Sequence, residues 1–310
     1  MELRAPAKVN LFLEVLGKRP DGYHDIETLM VAVNLFDTLK FKEDPSGEIR
    51  LTCIHPNLST GPDNLVIRAA ELLKRHTGCK KGARIRLTKR IPLSAGLAGG
   101  SSDAAATLSG LNRLWKLELS GKGLMSIGAE LGSDVAFFLS NPRRAARDSL
   151  SASPAEMAAA AAWCTGRGEQ VRPMKLGKPF WFVLAALPMG LSTAQVYKNV
   201  RVPKQPQRGL EIRRAVCTGD VEEIGRGLYN RLEPVAEKLC PAIRMVRRRL
   251  EELSPAGVLM SGSGTSVFAL CRNRSEALRV ARQLRHGLKG EASVFLVRSC
   301  PSKGRLGFNG

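Results

Sequence analysis

Glycine and serine crowd one stretch of the chain. It reads Ile91, Pro92, Leu93, Ser94, Ala95, Gly96, Leu97, Ala98, Gly99, Gly100, Ser101, Ser102, Asp103. Glycines let a backbone pass close to a ligand and take up positive φ. The stretch runs directly into residues whose apolar positions, Ala104, Leu108, Leu111 and Trp115, follow helical spacing. A loop that opens a helix there aims unpaired N–H groups and the positive end of the helix dipole at an anion. Ser101 and Ser102 add hydroxyls, and either could help hold Mg2+. The same stretch also reads as a tight strand-to-helix turn with no ligand. No G-x-x-x-x-G-K-[ST] run occurs in the chain, and the glycine spacing is not that of a dinucleotide fingerprint. A nucleotide site here must belong to another design.

Four further places carry chemistry-bearing side chains. Asp134 follows Gly132-Ser133 and precedes an apolar segment. A carboxylate there could take a proton from a hydroxyl, or it could be a turn or helix-cap aspartate. Lys8 and Asn10 lie two apart in a strand-like run and so share a face, which is either a polar site face or a solvent-facing strand edge. Tyr23-His24 follows a turn; Tyr could stack on a base and His could read its edge, or the pair belongs to an ordinary loop. Ser261-Gly262-Ser263-Gly264 lies between two strand-like runs, as a ligand contact or a plain turn.

Other arrangements are missing. There is no G-x-S-x-G elbow. His24, His55, His76 and His286 are far apart and lack metal-site spacing. The seven cysteines include no C-x-x-C pair, and their odd number argues against a closed disulfide framework. A reducing compartment fits best.

The elements that must position these residues are mostly readable. Strands are expected over 3–16, 27–41, 49–53, 83–89, 180–186, 258–260, 266–270 and 293–297. Pro20-Asp21-Gly22 is a turn signal. Asn64 opens an amphipathic helix with Leu65, Ala69, Leu72 and Leu73 on one face. Helices are expected over 208–217, 220–229, 241–253 and 275–287. Residues 142–162 change composition, from arginine-rich to serine-rich to poly-alanine, and read as a surface insertion. Within it Ser153, Pro154 and Glu156 form a capping-box start, predicting a short helix from Pro154 to about Trp163. The β-α alternation after residue 255 suggests an α+β second part.

The bulk numbers narrow the class. The chain has 310 residues, 44% hydrophobic and 25% charged, which suits a globular protein of two domains. No apolar leader precedes Lys8, and the longest apolar run, Trp181–Leu191, is too short to span a bilayer. A soluble, cytoplasmic protein with no membrane partner is expected. The net charge is +20. Aromatics, at 5%, do not interleave with the basic clumps at 80–90, 143–147 and 244–249, so no stacking platform for nucleic acid is indicated. A solvated basic surface is the plainest account; attraction of anionic small molecules is the functional one.

Taken in order, Ala5-Pro-Ala-Lys-Val-Asn10, Pro92 to Ala104 and Gly257-Val-Leu-Met-Ser-Gly-Ser-Gly-Thr265 resemble the GHMP kinase superfamily. Within it, Arg19-Pro-Asp-Gly-Tyr-His-Asp25, Asn64-Leu-Val, Gly132-Ser-Asp-Val and Thr165-Gly-Arg-Gly-Glu169 look like the family of 4-diphosphocytidyl-2-C-methyl-D-erythritol kinases. The resemblance covers nearly the whole chain apart from 142–162 and the tail. It implies an α+β fold: an N-terminal ribosomal-S5-like ATP-binding domain over 1–163, a ferredoxin-like C-terminal domain over 164–300, and a loose tail over 301–310. It implies ATP with Mg2+ and phosphorylation of the 2-hydroxyl of that cytidyl alcohol, in the non-mevalonate route to isoprenoid precursors. Asp134 would be the general base, and Lys8 would orient the hydroxyl. Pro92 to Ser102 would wrap the ATP phosphates, with Asn64 near the adenosine. Asn10, Tyr23, His24 and Thr193 would hold the acceptor, with Tyr197 closing over the cytosine opposite Tyr23. Ala98 stands where the family pattern has glycine, which is tolerable if φ there is negative. Two rival readings are a relative acting on another alcohol, such as homoserine or a mevalonate derivative, and a basic nucleic-acid-binding protein without catalysis.

Overall fold

The structure, a computed structural model, describes residues 1–140 and 159–301. Two long strands, β1 (Glu2–Lys18) and β2 (His24–Asp44), form an antiparallel hairpin. The turn signal at 20–22 closes it: Gly22 sits at φ 83°, and the Arg19 N–H donates to the Tyr23 carbonyl at 2.8 Å. β3 (Ile49–Cys53) and β4 (Gly82–Thr88) extend the sheet beyond β2, and the two-residue β8 (Tyr229–Asn230) lies parallel to β1 on the other side. The pairing of β1 with β2 slips between Asn10 and Phe12. Bulges of this kind re-aim side chains next to sites.

One face of this sheet is covered by helices. α1 (Leu65–Thr77) begins at Asn64, whose side chain accepts from the Val66 N–H. α2 (Gly99–Leu114) is almost wholly buried, and α3 (Gly121–Leu131) and α4 (Ser133–Leu139) pack beside it. Alanine-rich α2 has little side chain to hold it off the sheet, so it lies close, with Phe41 against Gly110.

A second sheet of four strands follows, with β7 (Trp181–Ala186), β9 (Gly257–Met260), β10 (Val267–Cys271) and β11 (Ser293–Arg298) in the order β11-β7-β10-β9, all antiparallel. That order is the expected ferredoxin-like one. α9 (Ala242–Glu251) and α10 (Arg274–Leu288) pack on it. α5 (Thr193–Asn199), α6 (Leu210–Thr218), α7 (Val221–Gly227) and α8 (Glu233–Leu239) fill the crossover. Val9, Leu11 and Val31 of the first sheet share a core with Phe182, Leu184 and Phe268 of the second. The Phe182 and Phe268 rings meet edge to face at 5.6 Å, an arrangement worth about 1 kcal/mol beyond the area it buries.

One region departs from the expectation. Of the helix expected over 154–163, residues 154–158 lie outside the described ones, but Ala161–Thr165 form a strand, β5, between β2 and β6 (Gln170–Met174). Alanine favours helices, yet sheet pairing overrides propensity here. Trp163 anchors the strand by stacking on Phe12 at 5.6 Å. Ala159 to Ala162 are therefore buried and not part of a surface excursion; the rest of the supposed insertion, 142–158, lies outside the described residues. The first sheet also continues past residue 163 to Met174, because β5 crosses that point. α5 and α8 carry no strong periodic signal and were not expected.

Candidate active site

A cleft of about 1210 Å3 opens between the two parts of the chain. The glycine-rich stretch forms one wall. Positive φ recurs at alternate residues, Ser94 (50°), Gly96 (74°) and Ala98 (55°). Alternation of this kind turns successive N–H groups toward one side and makes an anion-binding hollow. Ala98 is the N-cap of α2 and offers no side-chain cap, and the first turn carries no acid. The start of α2 thus keeps its N–H groups and its dipole for a ligand. The condition set for Ala98 is not met: its φ is positive, so its methyl group carries left-handed strain of about 1 kcal/mol.

The loop is pinned from two sides. The backbone N–H of Lys8 donates to the Leu97 carbonyl at 3.1 Å. The second glycine turn, 261–264, packs against it: Ser261 Oγ donates to the Gly96 carbonyl at 3.0 Å, and the Ser266 N–H donates to the Ala95 carbonyl at 3.1 Å. A Cβ built on Gly96 would sit 2.1 Å from the Ser261 carbonyl oxygen. Only glycine fits there, and the turn's role is close packing as well as lining the cleft.

Lys8 and Asn10 do not face solvent. Both are buried, at 3% and 1% exposure, with side chains aimed at the cleft. Lys8 Nζ donates to Asn10 Oδ1 at 2.5 Å and to the Gly96 carbonyl at 2.9 Å. Asn10 Nδ2 donates in turn to Thr28 Oγ1 at 2.7 Å, so the amide orients the lysine. Across from it stands Asp134, in the first turn of α4, with Oδ2 3.7 Å from Lys8 Nζ. Its carboxylate caps no helix, so the cap alternative fails. Burial pushes the Lys8 ammonium below its usual pKa, and Asp134 opposes that shift. A half-exposed carboxylate beside a desolvated cation can accept a proton from a hydroxyl placed between them.

The opposite end of the cleft is aromatic and basic. Tyr23, His24, Thr193 and Tyr197 all line it. Tyr197 packs on His24, with ring centroids 5.4 Å apart. Arg167 lies over the Tyr23 ring at 4.9 Å. Burial, and then Lys18, lower the pKa of His24, which favours its neutral imidazole. Burial, and then the Asp134 charge, keep the Tyr197 phenol protonated. Thr193 Oγ1 meets Ser263 Oγ at 2.9 Å.

Three of the expected residues fall away from the cleft wall. Leu97 and Ser102 are buried beneath the loop, and Asn64 spends its side chain on the Val66 N–H and the Ser59 carbonyl. Lys18, Lys89, Arg167 and Lys198 also line the cleft, and sequence reasoning passed over them. Among the described residues Asp134 is the one acid lining the cleft, so part of the excess positive charge is concentrated where anions would enter. Among the described residues no His/Cys/Asp/Glu cluster could hold a metal, no helix is long and apolar enough to cross a membrane, and all seven cysteines are free.

Comparison with known proteins shows the family of the chain. Residues 64–141 match the GHMP kinases N terminal domain, and residues 212–290 match the GHMP kinases C terminal. A 4-diphosphocytidyl-2-C-methyl-D-erythritol kinase of Pelotomaculum thermopropionicum is 41% identical over 91% of this chain and 92% of its own. A crystal structure of 4-(cytidine 5'-diphospho)-2C-methyl-D-erythritol kinase superposes with a TM-score of 0.75 at 35% identity, covering 96% of this chain and 98% of its own. A homoserine kinase from Cytophaga hutchinsonii, at 18% identity and a TM-score of 0.71 over 97% of this chain and 96% of its own, shares the fold alone. The chain belongs to the 4-diphosphocytidyl-2-C-methyl-D-erythritol kinase family of the GHMP kinases.

Proposed function

We propose that the protein transfers the γ-phosphoryl group of ATP to the 2-hydroxyl of 4-diphosphocytidyl-2-C-methyl-D-erythritol, in the cytoplasm, on the non-mevalonate route to isoprenoid precursors. The observation that carries this reading is the pair Lys8 and Asp134, 3.7 Å apart, beside the glycine loop at the start of α2. Asp134 takes the proton of the acceptor hydroxyl as its oxygen attacks the γ-phosphorus, and ADP leaves. Lys8 holds that oxygen and offsets the charge that builds on it. Phosphoryl transfer asks mainly for position and charge neutralisation, which the loop amides and the lysine supply.

The nucleotide enters as its Mg2+ complex. The donor set suits a hard cation held mostly by phosphates and water. Ser101 faces the cleft at the start of α2; its hydroxyl would help hold the ion, which would neutralise phosphate charge. At the other end Tyr197, His24 and Tyr23 take the cytosine, and the cations Lys18 and Arg167 favour the more highly charged diphosphate of the cytidyl acceptor over zwitterionic homoserine or the single carboxylate of mevalonate.

The test is ADP release from Mg-ATP with the cytidyl acceptor, homoserine, mevalonate, or no acceptor. Turnover with the cytidyl compound alone supports the reading. Turnover with another alcohol, or with none of them, overturns it.

A further inference from the structure

Lys89 closes a buried cluster that no step of the proposed reaction uses. It follows the last residue of β4 and precedes the glycine loop. Its side chain is 3% exposed, and it lies between Asp37 of β2 and Asp103 of α2, exposed 0% and 3%. Lys89 Nζ donates to Asp37 Oδ2 and, at 2.8 Å, to Asp103 Oδ2. Asp37 Oδ1 accepts the N–H groups of Arg90 and Ile91 at 2.6 and 2.9 Å. Asp37 therefore holds the entry of the loop, Asp103 belongs to the first turns of the helix at its exit, and Lys89 joins the two.

Burying such a group has a cost that only tight pairing offsets. A lysine and two carboxylates taken out of water lose hydration, and a hydrophobic cluster of similar volume would do as well for stability. The positions are also specific. A Cβ on Gly99, the first residue of α2, would lie 3.1 Å from Lys89 Nζ and 3.0 Å from Ile91 Cγ2. The helix start rests directly on the ammonium group, and Lys89 also borders the cleft.

We propose that the Asp37–Lys89–Asp103 cluster is a positioning device for nucleotide phosphates: it fixes the separation and aim of the two ends of the loop, so that the N–H groups at the start of α2 are set before the nucleotide arrives. This rests on the reading that the loop takes ATP phosphates. Loss of the cluster lets the helix start move relative to Ile91 and Pro92. The effect falls on nucleotide affinity, and the acceptor end, on the far side of Lys8 and Asp134, is left as it was.

The experiment compares wild type, Lys89→Met, Asp103→Ala and Asp103→Asn by steady-state kinetics in Mg-ATP and the cytidyl acceptor, with folding followed by circular dichroism. Lys89→Met and Asp103→Ala are expected to raise KM for ATP by about tenfold or more, a change equivalent to about 1.4 kcal/mol, with KM for the acceptor within about twofold of wild type. Asp103→Asn, which keeps an oxygen for Lys89, should recover most of the loss. Where Lys89→Met does not fold, the contrast between Asp103→Ala and Asp103→Asn decides. Folded variants with wild-type KM for ATP overturn the inference, as does an equal rise in both KM values, which marks a merely structural role. If the wild type itself does not turn over ATP, it is the functional reading that has failed.

Discussion

The two ends of the cleft are built in opposite ways. At the end formed by the glycine-rich loop the groups are buried and multiply tied: Lys8 to Asn10, Gly96 and Asp134, Lys89 to two aspartates, and Gly96 against the Ser261 carbonyl. At the aromatic end Tyr23 is 55% exposed, Thr193 and Lys198 are exposed, and the contacts are a tilted ring pair, a cation over a ring and one pair of hydroxyls. Groups that stabilise developing charge gain most from being fixed in advance, while recognition can leave some ordering to the ligand and meet the cost in affinity. Changes at the first end should therefore alter turnover, KM for ATP or folding, and changes at the second should alter acceptor KM.

Four substitutions put that division under strain. Asp134→Asn should lower kcat by about 10²–10⁴-fold, the usual share of a general base, with KM for ATP nearly unchanged; a kcat within tenfold of wild type would remove Asp134 from that role. Gly96→Ala forces a Cβ onto a carbonyl and into left-handed backbone. It should cost about 3 kcal/mol of stability from the two effects together, read as a lower denaturant midpoint, and a variant as stable as wild type would mean that the loop and the second turn are not locked together. Tyr197→Ala should raise acceptor KM by about tenfold or more, in line with about 1–3 kcal/mol for stacking a base. Little change in kcat is expected, so a fall in kcat with unchanged KM would erase the contrast between the two ends. Ala98→Gly is the mildest. Relief of left-handed strain, less the extra freedom of glycine when unfolded, should add about 0.5 kcal/mol to stability. Chemical denaturation checks it, and a loss of stability would show the strain to be absent.

The glycine-rich loop was legible because its signal is local. Glycine and serine spacing, followed at once by helical periodicity, needs no tertiary knowledge. The alternating sign of φ was not legible, and the expectation for Ala98 failed on it. Lys89 was hidden in a basic clump at 80–90 that reads as solvated, since only the fold brings Asp37 and Asp103 to it. The Lys8 and Asn10 face was correctly paired by strand periodicity, but whether it met water or a cleft depended on residues from 96 and 134. The poly-alanine stretch misled for a different reason: intrinsic propensity pointed to helix, while β2 and β6 offered an open edge to fill. The pairing of Tyr197 with His24 depends on how α5 is set against the first hairpin, and side-chain identity alone does not encode that.

The seam between Gly96 and Ser261 joins residues 165 positions apart. β8, which comes late in the chain, pairs with β1, and its Asn230 donates to the carbonyls of Met260 and Gly262. The two parts are thus laced through each other, and neither holds a finished loop. If the chain were cut in the connection between Met174 and Trp181, the leading piece would carry every glycine of the phosphate loop and still bind nucleotide poorly. Affinity would return on mixing with the trailing piece, as complementation between fragments.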